Sequence, residues 1–129
     1  MGARGDPEHV LIVDDDPALR AVAEIALGEL GGLRVSVAGD EAEARARAAE
    51  CNPDLVVMDL VLDEVDGRDV WRILAARTPP PEAVIFLTAA GGVEREALRA
   101  EPHCVGVLTK PFDPLTLADV VRALWRSRS

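Results

Sequence analysis

Apolar positions fall into two alternating kinds of stretch: short runs of consecutive apolar residues, and longer stretches in which they return every three or four. Continuous runs suit strands buried on both faces and the longer period suits helices laid against them, so the alternation predicts βα units around a parallel sheet. "HVLIV", residues His9 to Val13, reads as the first strand. Asp16-Pro17 then opens a helix, with a side-chain cap and a ring that fits the first turn. Leu19, Val22, Ala23, Ile25 and Ala26 repeat at helical spacing before Gly31-Gly32 ends it.

The pattern repeats four more times. "LRVSVA" alternates as a second strand, and "GDEAEARARAAE" is a helix capped by Asp40, apolar only through alanines, ending near Asn52-Pro53. "DLVVMDL" is the most hydrophobic run and the expected central strand. The acidic loop "DEVDG" follows, then a short helix carrying Val70, Trp71, Ile73 and Leu74, which "TPPPE" cannot continue. "AVIFLTAA" is a fourth strand, "GGVEREALRA" a weakly apolar helix, "GVLTK" a fifth strand and "DPLTLADVVRALWR" a strongly amphipathic last helix.

Composition narrows the function. At 129 residues the chain is long enough for one core and short for two. Lys and Arg total 14 against 23 Asp and Glu, a net charge of −9, which disfavours a nucleic-acid surface and favours a cationic ligand or metal. Cys51 and Cys104 form no CxxC pair and read as two buried thiols. With no membrane-length apolar run and no signal-peptide stretch in "MGARGDPEH", the expectation is a soluble, intracellular protein. Neither a P-loop nor a strand-following GxGxxG occurs.

Ligands of doubly wound sheets bind beyond the carboxyl ends of the strands. Those ends carry Asp14-Asp15-Asp16, Asp59, Thr88 and Lys110, which should converge on one rim. Crowded carboxylates resist ionisation unless a cation sits among them. Mg²⁺ is the usual occupant of an incomplete oxygen cage completed by water and phosphate, so Asp14 and Asp15 are the expected cradle. Asp16 is explained as the helix cap. A carboxylate facing a hydroxyl and an ammonium is equipped to accept a phosphoryl group, with Asp59 as candidate nucleophile and Thr88 and Lys110 as donors.

"VDDDP", "VVMDLVLDEVDG", "FLTAA" and "LTKPF" together resemble the receiver domain of two-component response regulators, over His9 to Trp125. The resemblance implies a flavodoxin-like α/β fold: a doubly wound, five-stranded parallel sheet of order 2-1-3-4-5 with five helices, one domain over 1–129 and a core over about 9–126. It also implies that Asp14, Asp15, Asp59 and the Val61 backbone carbonyl hold Mg²⁺. Asp59 is then the phosphoacceptor, Thr88 the switch hydroxyl, Lys110 the phosphoryl contact, and Lys110-Pro111 a cis peptide. Gly67 stands at the family's loop-ending glycine. The implied partners are a histidine kinase or histidine phosphotransfer protein, and an effector or second copy meeting the face of the fourth helix, fifth strand and fifth helix. Neither nucleic acid nor membrane is expected to bind this chain. The implied role is a cytoplasmic signalling module, with no enzymatic chemistry beyond its own phosphorylation and dephosphorylation.

The chain departs from that pattern in places. Asp63 and Glu64 replace the proline common four residues after the acceptor, predicting a more mobile, more acidic loop. Val107 stands where a switch aromatic is usual, and Gly106 and "EPHCV" are atypical. Val61 and Ala90 supply no polar group to orient an attacking water, predicting slow loss of the phosphoryl group. His9 and His103 read as exposed, Trp71, Leu124 and Trp125 as packing residues, and "WRSRS" as a frayed end. Two other readings stay open. A haloacid dehalogenase-like phosphohydrolase would use Asp14 and Asp16 as a DxD pair, although Pro17-Ala18 and the lack of room for a cap domain oppose it. A pseudo-receiver scaffold is the other.

Overall fold

The computed structural model describes residues 5–89 and 95–128. Five parallel strands form the sheet: β1 (Val10–Val13), β2 (Val35–Ala38), β3 (Leu55–Asp59), β6 (Ala83–Ala89) and β7 (Cys104–Lys110), in the order β2-β1-β3-β6-β7. A two-stranded antiparallel hairpin, β4 (Val61–Leu62) and β5 (Val65–Asp66), stands apart from the sheet. Five α-helices alternate with the strands: α1 (Pro17–Glu24), α2 (Glu41–Cys51), α3 (Gly67–Ala75), α4 (Arg95–Arg99) and α5 (Leu117–Arg126). The expected 2-1-3-4-5 order therefore holds for the sheet strands counted along the chain.

Successive strand residues point to opposite faces, so all-apolar strands supply two cores at once. Leu11, Val13, Val56, Met58, Val84 and Phe86 pack with Ala44, Ala48, Val70, Trp71, Leu74 and Leu98 of α2, α3 and α4. Val10, Ile12, Leu55, Val57, Ile85 and Leu87 pack with Ala23, Ala26, Leu27, Leu117, Val121 and Trp125 on the α1 and α5 side. The alanines of α2 suffice because Ala44 and Ala48 are the residues it buries.

Five local features differ from the sequence expectation. The first helix is α-helical only to Glu24 and continues as a π-helical turn, Ile25–Glu29. The acidic loop sits in a hairpin: Val61 pairs with Asp66 and Leu62 with Val65. β7 begins at Cys104, two residues before the expected start, and α5 begins at Leu117 after a turn over 114–116. Arg128, within the stretch expected to fray, is tied down, stacked 3.4 Å from the Trp125 ring centroid and 3.3 Å from Glu82. Ala90 and residues 91–94 of the expected fourth helix lie outside the described residues.

Trp71 and Trp125 are buried, as packing residues should be. Cys51 and Cys104 are only half-buried, and burial is the chief cause of the raised pKa of each thiol. His9 is not exposed: its ring meets Ser36 Oγ at 2.8 Å, and partial burial, reinforced by Arg34, lowers its pKa. Among the described residues, no helix is long and apolar enough to cross a membrane.

Candidate functional site

β1, β3, β6 and β7 end side by side, and their parallel register brings the predicted chemistry together. Asp59 ends β3 opposite Leu87, Thr88 sits on β6 opposite Thr109, and Lys110 closes β7 opposite Ala89. Asp14 directly follows β1, whose last pairings are Val13 with Ala38 and Met58. Asp14, Asp59 and Thr88 are 1 %, 5 % and 5 % exposed and are the buried polar side chains among the described residues. Unpaired burial of such groups is costly, so their partners matter.

Lys110 is the common partner. Its Nζ lies 3.0 Å from Asp59 Oδ2 and 3.2 Å from Asp14 Oδ2. Asp14 Oδ1 accepts the Asp16 N–H at 2.9 Å, whereas Asp14 Oδ2 is buried and faces the Lys110 ammonium 3.2 Å away. Burial raises the Asp59 pKa above the ordinary aspartate value. The Lys110 hydrogen bond opposes the rise and the Asp14 charge adds to it. Burial works against the Lys110 ammonium, yet hydrogen bonding to Asp59 and the charges of both carboxylates hold its pKa above the usual lysine value.

Asp15 points into the same space from a half-exposed position. One carboxylate oxygen from each of Asp14, Asp15 and Asp59 lies within 4.8 Å of the others, close enough for one metal ion. Three carboxylates, one presenting a buried oxygen that faces only the Lys110 ammonium among the described residues, match the hard oxygen set a small divalent cation takes. Asp16, next in sequence, is occupied elsewhere: it caps α1 by accepting from Ala18 N at 2.9 Å and Leu19 N at 3.4 Å.

Around this cluster the hairpin and the last turn are fixed. Val61 N lies 3.3 Å from Asp59 Oδ1, and Gly67 N donates to the Leu60 carbonyl at 2.6 Å. The Lys110-Pro111 peptide is cis. Val107 is buried at 6 % exposure within the α2–α4 core. Sequence reasoning assigned no contact to Asp63, whose N–H donates to Asp15 Oδ2 at 2.8 Å, and no role to Arg95, which donates to the Val107 carbonyl at 3.1 Å and to Thr109 Oγ1. The missing proline was the available signal for Asp63.

A cavity of about 680 Å³ lies at the opposite rim among Pro81, His103 and Arg128. None of the residues gathered above lines it. The densely charged carboxyl-end cluster suits a small, highly charged group better than an organic ligand.

Comparison with known proteins agrees. A family profile described as response regulator receiver domain matches residues 10–122. The DNA-binding response regulator MtrA of Mycolicibacterium smegmatis is 38 % identical over 120 residues, covering 92 % of this chain and 51 % of MtrA. The DNA-binding dual master transcriptional regulator RpaA of a Synechocystis species is 36 % identical over 92 % of this chain and 49 % of its own length. The chain thus spans about half the length of these curated relatives. Among solved structures, a putative response regulator from Chloroflexus aurantiacus superposes with a TM-score of 0.79 at 26 % identity, covering 93 % of this chain and 98 % of that one. Chemotaxis protein CheY4 of Vibrio cholerae superposes with 0.80 at 25 % identity, covering 92 % and 99 %. The chain belongs to the response regulator receiver domain family and is a phosphoacceptor signalling module of two-component systems.

Proposed function

We propose that Asp59 is the phosphoacceptor, that Asp14, Asp15 and Asp59 with the Val61 carbonyl hold Mg²⁺, and that Thr88 and Lys110 bind the phosphoryl oxygens. The observation that carries this reading is the Lys110 ammonium 3.0 Å from a buried Asp59 carboxylate flanked by Asp14 and Asp15. An Asp59 carboxylate oxygen attacks the phosphorus of a phosphohistidine on a histidine kinase or phosphotransfer protein. The new P–O bond forms as the P–N bond breaks, and the departing imidazole nitrogen keeps the electron pair and gains a proton. Lys110 moves from carboxylate to phosphoryl oxygen, and Thr88 donates its hydroxyl from β6. When bound, the cation neutralises charge shared by carboxylate and phosphoryl oxygens.

On this reading residues 1–129 form one receiver domain acting in the cytoplasm. Its downstream contact, with an effector or a second copy, uses the α4-β7-α5 face. The relatives named DNA-binding are about twice as long, so DNA binding is assigned to regions outside this match. Neither a phosphohydrolase nor an inert scaffold is favoured, because Asp16, the second Asp of any DxD reading, is engaged in capping and the other groups converge.

The test is incubation with acetyl phosphate and Mg²⁺, read by intact mass. One phosphoryl adduct is expected, lost in Asp59→Asn and on chelation, and reduced in Lys110→Ala, which still unfolds cooperatively. Equal adduct in Asp59→Asn rejects the assignment.

A further inference from the structure

The hairpin β4–β5 turns through Asp63-Glu64, and Asp63 has φ +54°, the left-handed region. Aspartate tolerates that region better than most residues, whereas proline is locked near −65°. The conformation aims the Asp63 N–H at Asp15 Oδ2, 2.8 Å away and 48 residues distant in sequence. Proline has neither this angle nor an N–H, so replacing the family's common residue opens a contact closed to it.

We propose that the Asp63 main-chain N–H is a positioning donor that fixes the Asp15 carboxylate toward Asp14 and Asp59, making the hairpin part of the cation cradle. Asp14 and Asp59 are immobilised by burial and Lys110, but Asp15 is half-exposed and, among the described residues, the Asp63 N–H is the hydrogen bond given to its carboxylate. A carboxylate held in place loses less freedom on binding a cation than one swinging in solvent. Coupling is reciprocal, so cation binding also steadies the hairpin. This inference rests on the cation reading above and adds a residue whose side chain is not itself a ligand.

Mg²⁺ affinity measured by calorimetry on the full chain separates the possibilities. Asp63→Gly keeps the N–H and the backbone angle and should bind within threefold of wild type. Asp63→Pro removes both and should bind at least tenfold more weakly. A separate measurement needs no metal: with chelator present, the Asp63 amide should exchange at least fivefold faster in Asp15→Ala, and this decides the matter if Asp63→Pro does not fold. Wild-type affinity in Asp63→Pro, equal loss in Asp63→Gly, or unchanged exchange in Asp15→Ala overturns the positioning role. Absence of Mg²⁺ binding by wild type overturns the cation reading and this inference with it.

Discussion

The α-carbon of Gly67 packs against the Asp59 carbonyl so closely that a Cβ on residue 67 would lie 2.0 Å from that oxygen. The loop-ending glycine is thus a steric condition for the hairpin to fold back over the strand end that carries the acceptor. Gly67→Ala must displace α3 or the Asp59 segment, at a cost of about 1–3 kcal/mol, the range for over-packing. Urea denaturation should show the loss, and intact mass a reduced phosphoryl yield. A wild-type midpoint and yield would disprove the contact.

Three consecutive aspartates divide their work, and substitution should separate them. Asp16→Ala removes the α1 cap and should cost about 1 kcal/mol while leaving phosphorylation within twofold of wild type. Asp14→Ala and Asp15→Ala should instead abolish Mg²⁺-dependent labelling. Thermal unfolding and mass spectrometry on the three variants check this; loss of labelling in Asp16→Ala would return that residue to the site.

Much of this division was legible in the sequence because parallel buried strands are apolar at every position, so a polar residue at a strand end stands out. Asp59 and Lys110 were found that way, and Asp16 was recognisable from the proline beside it. The hairpin was not legible, since Val61 and Val65 are exposed and the acidic residues between them read as solvated loop. Gly106 hid the true start of β7; a Cβ there would lie 2.6 Å from Leu124 Cδ1 on α5, so Leu124 would have to shift. Arg128 looked like a loose end because its partner Glu82 is 46 residues away. The π-helical turn follows from a shift in backbone pairing, Leu30 N to the Ile25 carbonyl, that leaves no clear mark on apolar spacing.

Asp59 should be a stability liability at neutral pH. Its pKa is raised, chiefly by burial, so folding favours the protonated form. The stability this gives is complete below the unfolded value of about 3.8 and is lost as pH rises through the higher folded value. Asparagine keeps the shape without the charge. With chelator present, Asp59→Asn should therefore melt higher than wild type at pH 7, with the gain shrinking towards pH 4. An Asp59→Asn variant no more stable than wild type at pH 7 would contradict the direction of the shift.

The last prediction concerns how occupancy of the site leaves it when residue 107 is a buried valine. Val107 has no ring to swing between outward and inward positions. Its main-chain carbonyl, however, accepts a hydrogen bond from Arg95 at 3.1 Å, and the same guanidinium bonds Thr109 Oγ1. Thr109 is the register partner of Thr88, the hydroxyl assigned to the phosphoryl group. Thr88, Thr109 and Arg95 therefore form a short physical route from the site to α4. Among the described residues that helix, Arg95–Arg99, buries one side chain, Leu98, and the Arg95 clasp ties it to β7. A ligand shifts an equilibrium only through contacts that differ between two states, and this clasp is a contact that a shift of Thr109 against α4 would alter. Arg95→Ala should speed amide exchange across α4 at least fivefold in the unphosphorylated protein, while leaving β1 and β3 protected. Beryllium fluoride with Mg²⁺, standing in for the phosphoryl group, should change exchange in wild-type α4 and have a much smaller effect there in Arg95→Ala. Exchange changes confined to α5 or to the acidic cluster would show that the signal leaves by another path.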